Sequence, residues 1–331
     1  MLTFLIPKHW TVIAVALFLS ISAGAATFEE VLEKAQQNDI KAQYNLAVMY
    51  ATGQGVEQNE AQASQWFQKA AEQGHAKAQF NIALSYAHGR GVAKDEAEAF
   101  QWMRKAAEQG NAEAQFGLGV MYSSGQGVTK NDAEAVEWYR KSAEQGDYRA
   151  QHNLGEMYLF AMGVAKNEEA AAEWFHKAAE QGDAKAQYHF GSMLYVGKGV
   201  SKNEEEAAEW WRKAAEQGHA GAQLCLGQIL INGLGIARNE AEAVEWIRKS
   251  AEQGNAVAQM LLATQYATGN GIAQDYTAAH MWVTLALSHA KPDSPEFVVG
   301  AMLRDEVARV ATKQQIAEAQ RLAQEWEKQH Q

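Results

Sequence analysis

The string WFQKAAEQG at residues 66–74 returns every 36 residues as WMRKAAEQG, WYRKSAEQG, WFHKAAEQG, WWRKAAEQG and WIRKSAEQG. A fixed period with no insertion constrains a fold more than any composition can, because each copy must bury the same face against the next. A catalytic site is needed once, whereas a packing solution can be copied. Cutting after each EQG gives seven units, at residues 39–74, 75–110, 111–146, 147–182, 183–218, 219–254 and 255–290.

Each unit reads as two helices. Ala at position 4 (Ala42 through Ala258), an apolar residue at position 8 (Leu46 through Leu262), Ala or Gly at position 9 and Tyr or Leu at position 12 share one helical face. This is helix A. It ends at a glycine turn whose second glycine (Gly55, Gly91, Gly127, Gly163, Gly199, Gly235, Gly271) never varies among the copies, as expected where the backbone needs positive φ. A Val or Ile follows each time and is expected to fill the gap between helices. Asn or Asp, from Asn59 to Asp275, then caps helix B. Helix B carries Trp66, Trp102, Trp138, Trp174, Trp210, Trp246 and Trp282 at one register, expected as core between layers. Lys or Arg near its last turn suits the helix dipole.

The flanks read as caps. Residues 26–38 resemble a helix B without its helix A. Residues 291–331 break the pattern at Pro292 and Pro295, then open an amphipathic helix with a Thr312…Gln315 capping box. Residues 1–25 read as a signal peptide: Lys8 and His9, an uncharged apolar run, and the small-x-small site Ala23-Gly24-Ala25. An uncleaved anchor is the alternative for that segment. Localisation is therefore expected to be exported, with the periplasm first and a secreted or surface location second. Losing Lys8 takes the net charge from −11 to −12, which argues against phosphate backbones and anionic lipid. Cys225 is the single cysteine, so no disulfide framework exists. Its expected role is a small apolar side chain.

The segment AEAQFGLGVMYSSGQGVTKNDAEAVEWYRKSAEQG resembles the Sel1-like repeat, a relative of the tetratricopeptide repeat with a longer, Gly-rich turn. The resemblance covers residues 39–290. It implies an all-α fold, a right-handed α-solenoid of seven helix-turn-helix repeats with helix A lining a concave face. It also implies adaptor work: in exported bacterial members, envelope signalling, assembly of surface machinery, or binding of host proteins such as secretory immunoglobulin A. A cysteine-rich branch is described as penicillin-binding or β-lactamase-like, but its disulfide pair in each repeat has no counterpart here.

Chemistry finds little support in the residues. The Gly-x-Gly turns lack a third Gly and a P-loop Lys, follow helices and recur seven times. Ser288-His289-Ala290-Lys291 fits S-x-x-K, yet no SDN or KTG exists in the chain. The ten His residues occupy scattered positions without metal-ligand spacing, and His75 and His219 stand where other copies have Asp or Asn, as turn residues. The acids of helix B read as first-turn acids and solvated faces. We therefore expect no catalytic residue, no cofactor and no metal.

Function is sought where the copies disagree. Lys41, Lys77, Arg149 and Lys185 share position 3, interrupted by Glu113. At positions 13, 14 and 16, three adjacent units replace small or polar residues with apolar ones: Leu159, Phe160 and Met162, then Tyr195 and Val196, then Ile231 and Leu234. The fourth unit also loses its first turn glycine to Ala161. Stacking is expected to gather these into one patch of the kind that marks an interaction site. The expected function is a non-enzymatic, monomeric adaptor of the cell envelope, holding a partner protein or peptide along helix A. Neither nucleic acid nor an integral membrane segment after signal cleavage is expected.

Overall fold

The computed structural model describes residues 26–288, 290–291 and 294–330, so the segment read as a signal peptide, and His289 of the S-x-x-K string, lie outside the described residues. Among the described residues there are seventeen helices and no strand. They divide into two compact units, one ending at Asn167 and the other beginning at Glu168.

Helix α1 (Phe28–Gln36) precedes the repeats. The A helices are α2 (Ile40–Thr52), α4 (Ala76–His88), α6 (Ala112–Ser124), α8 (Tyr148–Phe160), α10 (Ala184–Val196), α12 (Ala220–Asn232) and α14 (Ala256–Thr268). The B helices are α3 (Glu60–Glu72), α5 (Glu96–Glu108), α7 (Asp132–Glu144), α9 (Glu168–Glu180), α11 (Glu204–Glu216), α13 (Glu240–Glu252) and α15 (Tyr276–Ser288). The architecture is an all-α solenoid. Two helices, α16 (Pro295–Val310) and α17 (Lys313–His330), follow.

Local chemistry sets the boundaries. Asn59 Oδ1 accepts from Gln62 N at 3.0 Å, and Asp95, Asn131, Asn203, Asn239 and Asp275 cap their B helices the same way. A helices close on a left-handed residue: Gly53, Gly89, Gly125, Gly197, Gly233 or Gly269. The fourth copy does this with Ala161, at φ 57° and ψ 40°. A Cβ in that region costs about 1–2 kcal/mol. Ala161→Gly is expected to stabilise the chain by about 1 kcal/mol, read as a higher midpoint in thermal unfolding.

The recurring EQG has a specific cause. Every helix A carries a buried Gln at position 5, and its Nε2 donates to the Ala carbonyl near the end of the preceding helix, as in Gln115 to Ala107 O at 3.2 Å. The Gln of EQG then donates back to it. The pairs Gln73–Gln43, Gln109–Gln79, Gln145–Gln115, Gln217–Gln187 and Gln253–Gln223 lie at 2.6–2.8 Å. The Gln-to-Ala bond thus ties each repeat to the helix before it, and in five repeats a half-buried amide pair ties helix B back to its own helix A; these hydrogen bonds are directional, which apolar contact alone would not be. Cap helix α1 joins the same scheme, since Gln43 donates to Ala35 O and to Asn38 Oδ1.

The Trp register meets the expected core role only in part: Trp102, Trp210 and Trp282 are buried. Trp66, Trp138, Trp174 and Trp246 are only half-buried, and a lysine three residues on lies over the ring, as in Lys105 over Trp102 at 3.8 Å. The core is filled by the next residue along: Phe67, Met103, Tyr139, Phe175, Trp211, Ile247 and Val283 are all buried. Small residues at position 9 make room for it. A Cβ on Gly119 would lie 2.6 Å from the Tyr139 ring, and one on Gly227 2.5 Å from Ile247.

At the C-terminal end, Thr312 and Gln315 form the expected capping box, and α17 packs its Trp326 edge-on against Trp282 at 6.4 Å. Helix α16 was not anticipated by the sequence reading. Ser294 caps it and Pro295 sits in its first turn. Gly300 lets it approach closely, because a Cβ there would meet Leu287 at 2.8 Å.

Candidate functional site

In the unit from Glu168 onward, four of the seven apolar candidates meet. Tyr195 and Val196 end α10, Ile231 lies near the end of α12, and Leu234 sits in the turn after it. Together they line one cavity of about 540 Å³. Three successive A helices form its walls, because α14 adds Leu261 and Gln265. Trp211 closes one side, held by its indole N–H to Tyr188 O at 3.3 Å, with the Tyr195 ring 5.3 Å away. Val196 is 68% exposed, so this apolar side chain stands at the rim.

Among the described residues, no charged side chain lines this cavity. Its polar groups are the hydroxyl of Ser192, the Tyr195 phenol, the Trp211 indole, the Cys225 thiol and the amides of Gln228, Asn232 and Gln265. Ser192 Oγ donates to Tyr188 O at 2.8 Å and Asn232 Nδ2 donates to Gln228 O at 2.9 Å. Burial pushes the Cys225 thiol up to about 11, so it is a protonated, weakly nucleophilic group at neutral pH. Beside the cavity, and sharing Gln228 and Leu261 with it, a more open groove of about 590 Å³ is lined by Val257, Met260, Val299, Met302 and Leu303. Val257, Val298, Val299 and Met302 are exposed apolar residues there or next to it on α16. Sequence reasoning missed this groove together with α16.

The candidates of the fourth copy belong to the unit that ends at Asn167. Phe160 is 59% exposed, and Leu159 is partly buried. Met162 lines a smaller cavity of about 240 Å³ with Ser123, Asn153 and Tyr139, whose buried phenol is pushed up to about 12. Among the position 3 cations, Lys41, Lys77 and Lys185 are exposed. Arg149 is instead half-buried, paired to Asp147 at 2.5 Å and laid over the Phe116 ring at 4.6 Å. Its charge is committed to structure. Ser288 of the S-x-x-K string donates to Leu285 O at 2.9 Å, and Lys291 is exposed.

His75 and His219 act as N-caps. Their Nδ1 atoms accept from Ala78 N at 3.2 Å and Ala222 N at 3.1 Å, and the rings stack on Tyr44 and Tyr188. Burial, with Lys77 and Lys41 nearby, holds the His75 pKa below its usual value. A depressed folded-state pKa gives stability that is present above about 6.5 and lost as pH falls through the lower folded value. The urea midpoint is therefore expected to fall between about pH 7 and pH 5. His75→Asn, with the residue found at Asn111 and Asn255, is expected to make that fall smaller.

The Sel1 repeat family model matches residues 40–75, 76–111, 112–147, 149–183, 184–219, 220–255 and 256–289. No curated protein matches the chain. A Sel1 repeat protein from Oxalobacter formigenes is 32% identical with a TM-score of 0.65, over 84% of this chain and 79% of that one. The crystal structure of c5321, a protective antigen present in uropathogenic Escherichia coli strains and displaying an SLR fold, is 31% identical. Its TM-score is 0.57, over 90% of this chain and 78% of that one. Sel1 repeat proteins are generally protein-interaction scaffolds, and with seven copies matched in succession the chain belongs to the Sel1 repeat family.

Proposed function

We propose that the chain is an exported, non-enzymatic and monomeric adaptor of the bacterial cell envelope, which holds a helix or extended segment of a partner protein along its A helices. The observation that carries this reading is the uncharged cavity walled by α10, α12 and α14, with Val196 exposed at its rim. Apolar anchors presented by successive helices suit a partner element that supplies side chains at intervals. Phe160 is a second exposed anchor, in the other unit; Lys41 and Lys77 are exposed cations of that unit and Lys185 is one of the unit that holds the cavity. The signal-like residues 1–25 support export.

A second reading has one observation in its favour. The c5321 neighbour is a protective antigen, which fits a surface or secreted binder of a host protein such as secretory immunoglobulin A. Crosslinking in cells followed by co-purification tests the adaptor reading. The wild-type chain is expected to retain a partner that the Phe160→Asp/Val196→Asp variant loses. Both sites are exposed, so helicity and melting should not change. Equal recovery with both chains would remove the apolar anchors from the site, and no partner with either would favour the host-facing reading.

A further inference from the structure

We infer that the cavity walled by α10, α12 and α14 recognises an internal peptide segment, with the Gln265 side chain hydrogen-bonded to one of its backbone amides and an apolar side chain of the segment seated against Tyr195, Trp211 and Ile231. This deepens the adaptor reading and rests on it.

The copies differ at one buried position of helix A. At position 11 of helix A the other repeats carry Met49, Ser85, Met121, Met157, Met193 and Ile229. All of these fit an apolar layer except Ser85, whose hydroxyl is hydrogen-bonded to Ser64 at 3.2 Å. Gln265 is the exception. It is only 6% exposed, it lines the cavity, and its carboxamide makes no hydrogen bond among the described residues. Facing the cavity, this carboxamide is open to an occupant, and a ligand that displaces water from it must replace the water's hydrogen bonds. A carboxamide offers a donor and an acceptor side by side, and a peptide group answers both.

The walls narrow the ligand further. With no cation or anion lining the cavity, a phosphate, a carboxylate or an ammonium group would lose its hydration without a partner. A chain terminus is therefore a poor occupant and an internal segment a good one. A volume of about 540 Å³ accommodates a side chain with its neighbouring peptide groups. The amides of Gln228 and Asn232 lie exposed at the same wall, where the segment's next peptide groups would pass.

Cys225, the only cysteine, lines the cavity and reports on its occupancy. The test measures the rate of its alkylation by iodoacetamide at mildly alkaline pH, in the full chain. N-acetyl-Leu-Phe-amide is titrated against the same peptide with a free carboxylate. The blocked peptide should slow alkylation, and the free acid should need about tenfold more. Gln265→Met introduces the residue that four other copies carry, so it should fold and melt a few degrees higher. It should also weaken protection by about tenfold, the value of one hydrogen-bonded amide. Val196→Asp should weaken protection as well. If Gln265→Met is protected as well as wild type while Val196→Asp is not, amide recognition is overturned and the apolar docking site stands. If the blocked peptide fails to slow alkylation of the wild type, this inference is overturned, and the cell crosslinking experiment decides the adaptor reading separately.

Discussion

Gly127→Ala is expected to cost about 4 kcal/mol or more, whereas Gly55→Ala, at the same place in the first repeat, is expected to cost about 1 kcal/mol. Both glycines have positive φ, 68° and 73°, so conformational strain is common to the two. The difference lies in what stands behind them. A Cβ on Gly127 would lie 2.0 Å from the carbonyl oxygen of Glu96 and 2.6 Å from its carbon, the first residue of the preceding helix B. Both are backbone atoms, so no rotamer change relieves the clash, and the repeat must slide on its neighbour. Gly91, Gly163, Gly199, Gly235 and Gly271 meet the preceding B helix in the same way. Gly55 precedes any such contact, and its nearest atom is the flexible Cε of Met49 at 3.3 Å. Chemical denaturation of the two variants measures the difference. Equal losses would mean that φ alone accounts for the glycine.

Gln115→Leu should be the next most damaging change, at about 2 kcal/mol. Its Oε1 accepts from Gln145 at 2.7 Å, and removing it leaves that amide to a 3.5 Å contact with Lys141 O. The Ala107 carbonyl would still accept from Gly110 N, which limits the loss. Gln259 provides the control. It holds the same position in the seventh repeat and donates to Ala251 O, but its buried Oε1 has no partner among the described residues. Gln259→Leu is expected to cost less than about 1 kcal/mol, because it also removes an unsatisfied atom. Urea midpoints compared at constant slope test the contrast.

Those two predictions also mark where sequence reading stops. The period, the alternation of helices, the Asn and Asp caps and the positive φ of Gly127 were all legible, because each rests on chemistry within a few residues. The close approach of Gly127 to Glu96 was not, since it depends on the stacking distance between repeats. Gln115 escaped notice because hydrophobic periodicity assigns polar letters to the surface, and only the structure shows which polar residue meets a partner. The Trp register drew attention by its uniformity, while the deeper residues beside it, from Phe67 to Val283, vary in size with the packing of each layer. Within the candidate site, the disagreement among copies led to Tyr195, Val196, Ile231 and Leu234. The same comparison at position 11 would have found Gln265, which differs from six other copies. Helix α16 carries no repeat signal, so the groove it forms with α14 could not be anticipated.

The central claim is that the A helices around Val196 hold a partner protein. A photo-crosslinking residue placed at Val196 in living cells tests it most directly, with the exposed Glu209 of helix B as control. The account predicts a discrete crosslinked adduct from Val196, reduced by Ile231→Asp, and none from Glu209. Adducts of equal yield from both positions, or none from Val196 while Glu209 gives one, would contradict it.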